Sequence, residues 1–171
     1  MFHPSYLRHL LFFLLPFVFL PCFSAAVSET MGKACNQTLD SVFCITSLQA
    51  VPKSDSADLP ALALIALNLT YSNVTSSATK LLALQREATS PAIKNSFEAC
   101  LMLYNNIFQP LRWASQFFVA KHYDVAQAMF ATPLFAPTNC AETAGKVMEK
   151  DGNNTFFLML MTRKFMELSS S

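Results

Sequence analysis

The sequence is poor in glycine and in charge. Only three glycines occur in 171 residues, and Asp, Glu, Lys and Arg together make up 13% of the chain. The scarcity of glycine, with long stretches that lack alternating β-branched residues, predicts an all-α fold. The formal net charge is +1 at pH 7 and no basic stripe is present. This balance argues against nucleic acid or an anionic membrane surface as the partner.

The chain also lacks the motifs of common enzymes. It contains no His-Glu-x-x-His, no Gly-x-Ser-x-Gly and no glycine-rich phosphate loop. Helix capping and solvation explain Asp55 and Asp58, and Glu98 fits a solvated position beside an aromatic seam. The cysteines do not have the spacing of zinc ligands. We therefore expect a protein that is not an enzyme and holds no metal or cofactor.

The first 26 residues have the three parts of a secretory signal peptide. Arg8 supplies the positive start, Leu10–Leu20 is almost wholly apolar, and Ser24–Ala26 offers small residues to a signal peptidase. A membrane anchor is the competing interpretation. The apolar run of about 14 residues is shorter than the roughly 20 that span a bilayer, and two prolines interrupt it. We expect cleavage near Ala26 and a secreted mature domain, residues 27–171, that is not attached to a membrane.

Four cysteines remain after that cleavage: Cys35, Cys44, Cys100 and Cys140. An even number of cysteines in a secreted chain predicts two disulfides, and four cysteines allow three pairings.

Two long amphipathic helices are predicted in the middle of the chain. Asp58 is a suitable N-cap and Pro60 suits the first turn of the first helix. Its apolar seam recurs at intervals of three and four: Leu64, Leu67, Tyr71, Val74, Ala78 and Leu81. The second begins near Pro91, with the seam Phe97, Leu101, Tyr104, Phe108, Leu111, Ser115 and Phe118. Pro110 predicts a kink, and helical spacing assigns the aromatic residues, Trp113 included, to the core.

Two further helical regions complete the pattern. One covers about residues 122–149, and Pro133 and Pro137 are expected to break it before Cys140. The other runs from Asn154 to Leu168, after a predicted turn at Asp151-Gly152. Segments of this length with short connections predict one domain, an antiparallel four-helix bundle.

Four Asn-x-Thr sequons agree with secretion, at Asn36, Asn68, Asn73 and Asn153. At 100° per residue, Asn73 points about 130° away from the mean direction of the first seam, and Asn68 about 90°. We therefore expect a sugar to suit Asn73, with Asn68 on the border.

Several short motifs occur in an order that is typical of one family. They are C35-xx-T-xxxxx-C44-xx-SL near the start, A99-C100-xxx-Y, then K121-HYD-xx-QA with Cys140 beyond it, and GNNTFFLMLM from Gly152. Together they resemble the plant invertase and pectin methylesterase inhibitors over about residues 31–168.

The resemblance implies two disulfides, Cys35–Cys44 and Cys100–Cys140, and an N-terminal disulfide-clipped helical hairpin before the bundle. In the family the first pair closes a hairpin that projects, and the second ties the second bundle helix to the third. We therefore expect the segment of about 31–50 to project from the core. Its apolar side chains are expected to pack on each other and on a neighbour, with a second copy (a homodimer) as one candidate.

The resemblance also implies a function. It predicts a secreted protein of the plant cell wall (the apoplast) that inhibits pectin methylesterase or acid invertase by occluding the substrate cleft. Histidine changes charge near the pH of an acidic compartment, so His122, the one histidine of the mature chain, is a candidate contact with the target. The alternatives are a family member that inhibits nothing and a secreted carrier of apolar ligands.

Overall fold

A computed structural model describes residues 27–170, so the predicted signal peptide lies outside the described residues. Within that range the secondary structure is wholly helical, with short 3-10 turns at Ser54–Ser56 and Pro133–Phe135. The α-helices are α1 (Glu29–Cys35), α2 (Ser41–Gln49), α3 (Leu59–Glu87), α4 (Pro91–Val119), α5 (Tyr123–Ala128), α6 (Ala136–Ala144) and α7 (Lys146–Leu168). In this part of the chain no helix has both the length and the apolar character of a membrane span.

The bundle consists of α3, α4, α6 and α7. The short helix α5 packs against α4 and α7, as α6 does. Helices α4 and α7 each pack against both α3 and α6, so α4 and α7 are diagonal partners. Thr70 meets Thr162 while Lys80 meets Asp151, which shows that α3 and α7 run in opposite directions. The predicted all-α antiparallel four-helix bundle with a disulfide-clipped hairpin is confirmed.

The two long helices begin where the sequence predicts. The Asp58 carboxylate accepts a hydrogen bond from the backbone N–H of Ala61 at 2.9 Å, and Pro60 lies in the first turn of α3. Helix α4 begins at Pro91 and continues through Pro110 to Val119. Because Pro110 has no N–H, the helix loses one backbone hydrogen bond there. The kink at Pro110 stays a prediction.

The predicted turn at Asp151-Gly152 is wrong, because α7 begins at Lys146 and runs through it. The reversal lies at Gly145, whose φ of 71° is a left-handed conformation that favours glycine. At Gly152 a Cβ atom would lie 2.7 Å from the Pro137 carbonyl oxygen. Glycine is therefore needed at 152 for the close approach of α6 and α7. The region of about residues 122–149 is interrupted before Cys140 as expected, between α5 and α6, and Pro133 begins the 3-10 turn there. Pro137 lies just after this break, in the first turn of α6, where proline is tolerated.

The hairpin of α1 and α2 does not project, so that expectation is also wrong. The Cys35–Cys44 disulfide joins the two helices, and Met31 and Leu48 are fully buried in the same core as the bundle. The rings of Phe43 on α2 and Phe157 on α7 lie 5.5 Å apart. Burial of these large apolar side chains favours a hairpin packed on the bundle over one that projects into solvent. The neighbour that the hairpin needs is its own bundle.

Buried hydroxyl groups tie the helices together inside the core. The hydroxyl oxygens of Thr70 and Thr162 lie 2.9 Å apart between α3 and α7. One layer away, the Thr155 hydroxyl donates to Oδ1 of Asn73 at 2.6 Å and lies 3.4 Å from the Tyr104 hydroxyl. Each threonine hydroxyl also lies within hydrogen-bond distance of the carbonyl oxygen four residues earlier in its own helix: Thr70 with Ala66, Thr162 with Leu158 and Thr155 with Asp151. A slide of α7 along α3 by one turn would therefore remove only the contacts between the helices, at a cost of about 0.5–1.5 kcal/mol for each hydrogen bond lost. These contacts favour the observed register of α7.

Ionisation of the buried Tyr104 phenol should lower the stability of the protein at alkaline pH. Burial raises the pKa of its phenol above the ordinary value of about 10, and the Asp151 carboxylate adds to this, while hydrogen bonds with Thr155 and Ser77 oppose it. The contribution of the protonated phenol is therefore complete below about pH 10 and is lost as the pH rises through the folded-state pKa. Urea unfolding between pH 8 and 11 should show this fall, and Tyr104→Phe should reduce it. The half-exposed Tyr71→Phe is the control, and a parallel fall in native and Tyr104→Phe proteins would contradict the assignment.

Candidate functional site

The interior of the described residues holds hydroxyl groups rather than a reactive set. Across residues 27–170 no group of three or more His, Cys, Asp or Glu side chains converges. The ion pairs of this region are partly or largely exposed: Lys33 with Glu29, Lys80 with Asp151 and Lys164 with Glu167. A row of exposed apolar and amide side chains lies instead on the outer face of α4.

We call that face the α4 strip. Its members are exposed, uncharged and spaced by four, three, four and three residues: Met102, Asn106, Gln109, Trp113 and Gln116. This spacing places them on one side of the helix, along about 21 Å of its axis. Met102 is 60% exposed and Trp113 is 45% exposed. The strip thus presents two large apolar groups among side-chain amides.

A surface groove between α3 and α4 adjoins the strip. It has a volume of about 410 Å³ and is lined by Asn68 and Tyr71 from α3 and by Phe108, Gln109 and Arg112 from α4. The Tyr71 ring is 50% exposed and meets Phe108 edge to face at 5.5 Å. Gln109 belongs to both the groove and the strip. We call the α4 strip together with Tyr71 and Arg112 the docking face.

The composition of the docking face suits contact with another protein. Tyr, Trp, Met and Arg are the side chains most enriched at protein interfaces, and Trp, Tyr and Arg dominate their binding energy. Amide side chains can donate and accept hydrogen bonds, and they cost less to desolvate than charged groups. The strip can therefore be buried by a partner without leaving an unpaired charge.

A family model described as plant invertase/pectin methylesterase inhibitor matches residues 29–170, which cover the bundle and the hairpin. The chain belongs to this family. Its members are inhibitors rather than enzymes.

Individual relatives agree with this membership. Pectinesterase inhibitor 2 of Arabidopsis thaliana is 31% identical over 96 residues, 54% of this chain and 51% of that protein. A protein of Platanus orientalis that is provisionally named an invertase inhibitor is 30% identical over 100 residues, 58% of this chain and 59% of its own. The chain thus spans about half the length of the curated relatives that it matches.

A solved structure shares the fold. The crystal structure of a mutant form of a pectin methylesterase inhibitor from Arabidopsis aligns with a TM-score of 0.73 at 20% identity. The alignment covers 82% of this chain and 97% of that one. At this identity the likeness establishes the bundle architecture of the inhibitor family for this chain.

Sequence reasoning placed Trp113 and Tyr71 of this inhibitor-family chain in the core, and the structure shows both substantially exposed. The prediction was right for Tyr104, which is fully buried. Trp113 follows the buried Leu111 by two residues, which is about 200° around a helix. That offset was the signal that Trp113 faces solvent.

His122 lies beyond the last turn of α4, at the start of α5. Its side chain is exposed, and its backbone N–H donates to the Phe117 carbonyl at 2.8 Å. The preceding Lys121 has a φ of 63°, so the chain reverses sharply at this point. The structure thus places the one histidine of residues 27–170 past the end of the α4 strip rather than within it.

The structure joins the cysteines as Cys35–Cys44 and Cys100–Cys140, the pairing that the family resemblance implies. The second disulfide connects α4 to α6 within the core.

The order of exposure expected for the sequons is reversed. Asn36, Asn68 and Asn153 are exposed, whereas Asn73 is half-buried and accepts a hydrogen bond from Thr155. A seam calculated for one packing partner could not include α7, whose Thr155 meets Asn73 on a second side of α3.

Proposed function

We propose that this chain is a secreted inhibitor of a carbohydrate-active enzyme of the plant cell wall, either pectin methylesterase or acid invertase. Residues 1–26 direct secretion as a signal peptide, and residues 27–171 form the inhibitory domain. The protein itself catalyses no reaction. Membership of the inhibitor family and the composition of the first 26 residues support this proposal.

The docking face carries the inhibition by lying across the substrate cleft of the enzyme. Trp113 and Met102 enter the cleft as apolar contacts, and Asn106 and Gln109 form hydrogen bonds around them. The Cys100–Cys140 disulfide holds α4 against α6, which restrains the helix that carries the strip and limits the entropy lost on binding. The observation that carries this mechanism is the exposed Trp113 in an uncharged row of side chains.

The two target enzymes are separated by direct assay. The mature protein, secreted from plant cells, is mixed with a pectin methylesterase and, separately, with an acid invertase at acidic pH. Loss of one activity identifies the target. Loss of neither supports the alternative of a family member that inhibits nothing, and contradicts the proposal.

Trp113→Ala should raise the inhibition constant for the sensitive enzyme by about 30-fold, because a central interface tryptophan contributes about 2 kcal/mol or more. The measurement is a titration of enzyme activity with each inhibitor. The matched control is Phe135→Ala. Phe135 is 57% exposed but packs on Phe156 of α7, the diagonal partner of α4. Equal inhibition by native and Trp113→Ala proteins, or an equal loss in Phe135→Ala, would remove the docking face from the mechanism.

One secondary contact is part of the same proposal. His122 is an edge contact, so His122→Gln should weaken inhibition less than Trp113→Ala does.

A second copy is the competing occupant of the docking face. Light scattering of the free inhibitor separates the two cases, since a dimer that Trp113→Ala dissociates would assign the face to self-association instead.

A further inference from the structure

A second groove lies between part of the hairpin and the bundle, on the other side of α3 from the docking face. It has a volume of about 390 Å³, and α2, α3 and α7 all line it. Phe43 and Leu158 give it apolar walls, while Ser47, Ser72, Ser76 and Asn154 bring hydroxyl and amide groups. We call it the hairpin groove. The packing of α2 on the bundle is therefore incomplete along this line.

Asn73 lies in the lining of the hairpin groove and begins the sequon Asn73-Val74-Thr75. Its Oδ1 atom lies 2.6 Å from the buried Thr155 hydroxyl, whose single proton is shared between Oδ1 and the Asp151 carbonyl oxygen at 2.8 Å. The amide group is planar, so its nitrogen points away from the oxygen that Thr155 holds. The atom to which an N-linked sugar attaches is thus on the side of the amide away from Thr155, in a residue that lines the groove.

We infer that an N-linked sugar on Asn73 occupies the hairpin groove and braces α2 against α3 and α7. In the linkage, Nδ2 of Asn73 forms a bond to the anomeric carbon of an N-acetylglucosamine. The bond from that carbon to a lipid-linked diphosphate breaks, the diphosphate leaves, and one of the two amide protons is lost. Oδ1 takes no part in the transfer, so its hydrogen bond with Thr155 is kept.

The lining suits a sugar better than it suits a purely apolar group. A pyranose ring has C–H faces that pack on Phe43 and Leu158, and hydroxyl and N-acetyl groups that need hydrogen-bond partners. Ser47, Ser72 and Asn154 supply such partners. The volume lies in the range of roughly 300–1,000 Å³ that is usual for clefts holding small ligands. A sugar seated there contacts all three helices and restrains α2.

This inference rests on the secretory route within the proposed function, and it does not depend on inhibition. The other sequons distinguish a failure of the secretory route from a failure of this inference. Sugar on the exposed Asn36, Asn68 or Asn153 without sugar on Asn73 would uphold the secretory route and overturn the inference.

Thr75→Ala provides the test, because it removes the sequon and leaves Asn73 in place. The Thr75 hydroxyl is exposed and bonds only to the Tyr71 carbonyl of its own helix. The full chain is secreted from plant cells, and glycopeptide mass spectrometry determines whether Asn73 carries sugar. In Thr75→Ala we expect amide hydrogens of residues 41–50 to exchange about five-fold faster than in the native protein.

Three controls make the outcome specific. Thr75→Ser keeps the sequon and should exchange as the native protein does. Asn153→Gln removes an exposed sequon outside the hairpin groove and should leave exchange in residues 41–50 unchanged. In protein made without glycosylation, native and Thr75→Ala chains should be indistinguishable. An unmodified Asn73, or a sugar on Asn73 whose removal leaves exchange unchanged, overturns the inference.

Discussion

Replacing Cys100 and Cys140 together by alanine should lower the free energy of unfolding by about 4 kcal/mol, the largest effect expected of any change considered for this protein. The two cysteines are 40 residues apart in sequence, and a disulfide that closes a loop of this length stabilises by about 4 kcal/mol in the chain-entropy account. Both cysteines are fully buried between α4 and α6. Urea unfolding followed by circular dichroism measures the change.

The Cys35 and Cys44 pair is the matched control. Its cysteines are nine residues apart, so the same account gives about 2.7 kcal/mol for their replacement. Because this disulfide closes only the hairpin, its loss should loosen residues 29–49 more than the bundle. If removal of the short loop destabilises the bundle more than removal of the long one, loop closure is not the source of the stabilisation.

Gly152→Val should destabilise the protein by about 3 kcal/mol. The added Cβ would approach the Pro137 carbonyl oxygen to 2.7 Å and the Ala141 Cβ to 3.1 Å. A backbone oxygen cannot rotate away as a flexible side chain can, so α6 and α7 must separate. Overpacking of this kind costs about 1–3 kcal/mol, and the lost contacts between the two helices add to it. Thermal unfolding of the variant should show a melting temperature several degrees below that of the native protein.

Gly32→Ala is the control for Gly152→Val. Its added Cβ would lie 3.7 Å from a methyl group of Val27, which is an ordinary contact distance. Alanine is the better helix former by up to about 1 kcal/mol, so Gly32→Ala should be neutral or slightly stabilising. A Gly152→Val protein that melts with the native one would show that α6 and α7 do not depend on this close approach.

The beginnings of α3 and α4 could be predicted because local signals decide them. Asp58 caps its own helix three residues on, and Pro60 and Pro91 have a fixed φ that suits a first turn. These effects need no distant partner. Most residues of the two predicted seams are likewise buried, since a residue such as Val74 or Leu111 faces the core wherever a bundle forms.

The start of α7 could not be predicted in the same way. A glycine serves either a turn or a close helix contact, and Gly145 and Gly152 are seven residues apart with opposite roles. Only the approach of Pro137 from α6 distinguishes them. The position of the hairpin could not be predicted for a related reason. Its apolar residues, such as Met31 and Leu48, indicate that they are buried but not which surface they pack against.

The docking face was missed because helical spacing was taken to place all the aromatic residues in the core. Trp113 is displaced by about 200° from Leu111, and that angle outweighs its hydrophobicity. Tyr71 falls on the seam of α3, so its exposure could not have been inferred from spacing. It depends on where α4 crosses α3 and leaves the groove beside Phe108 open.

The diagonal placement of α4 and α7 determines which side of the protein would stay exposed in the proposed complex. An enzyme that covers α4 leaves the outer side of α7 facing away from it, with Asn153 and Arg163 still in solvent. A fluorophore or a biotin on a cysteine introduced at Arg163 would then report on the complex without entering its interface. The same geometry orients a surface-tethered inhibitor, because attachment through α7 presents α4 to the enzyme in solution.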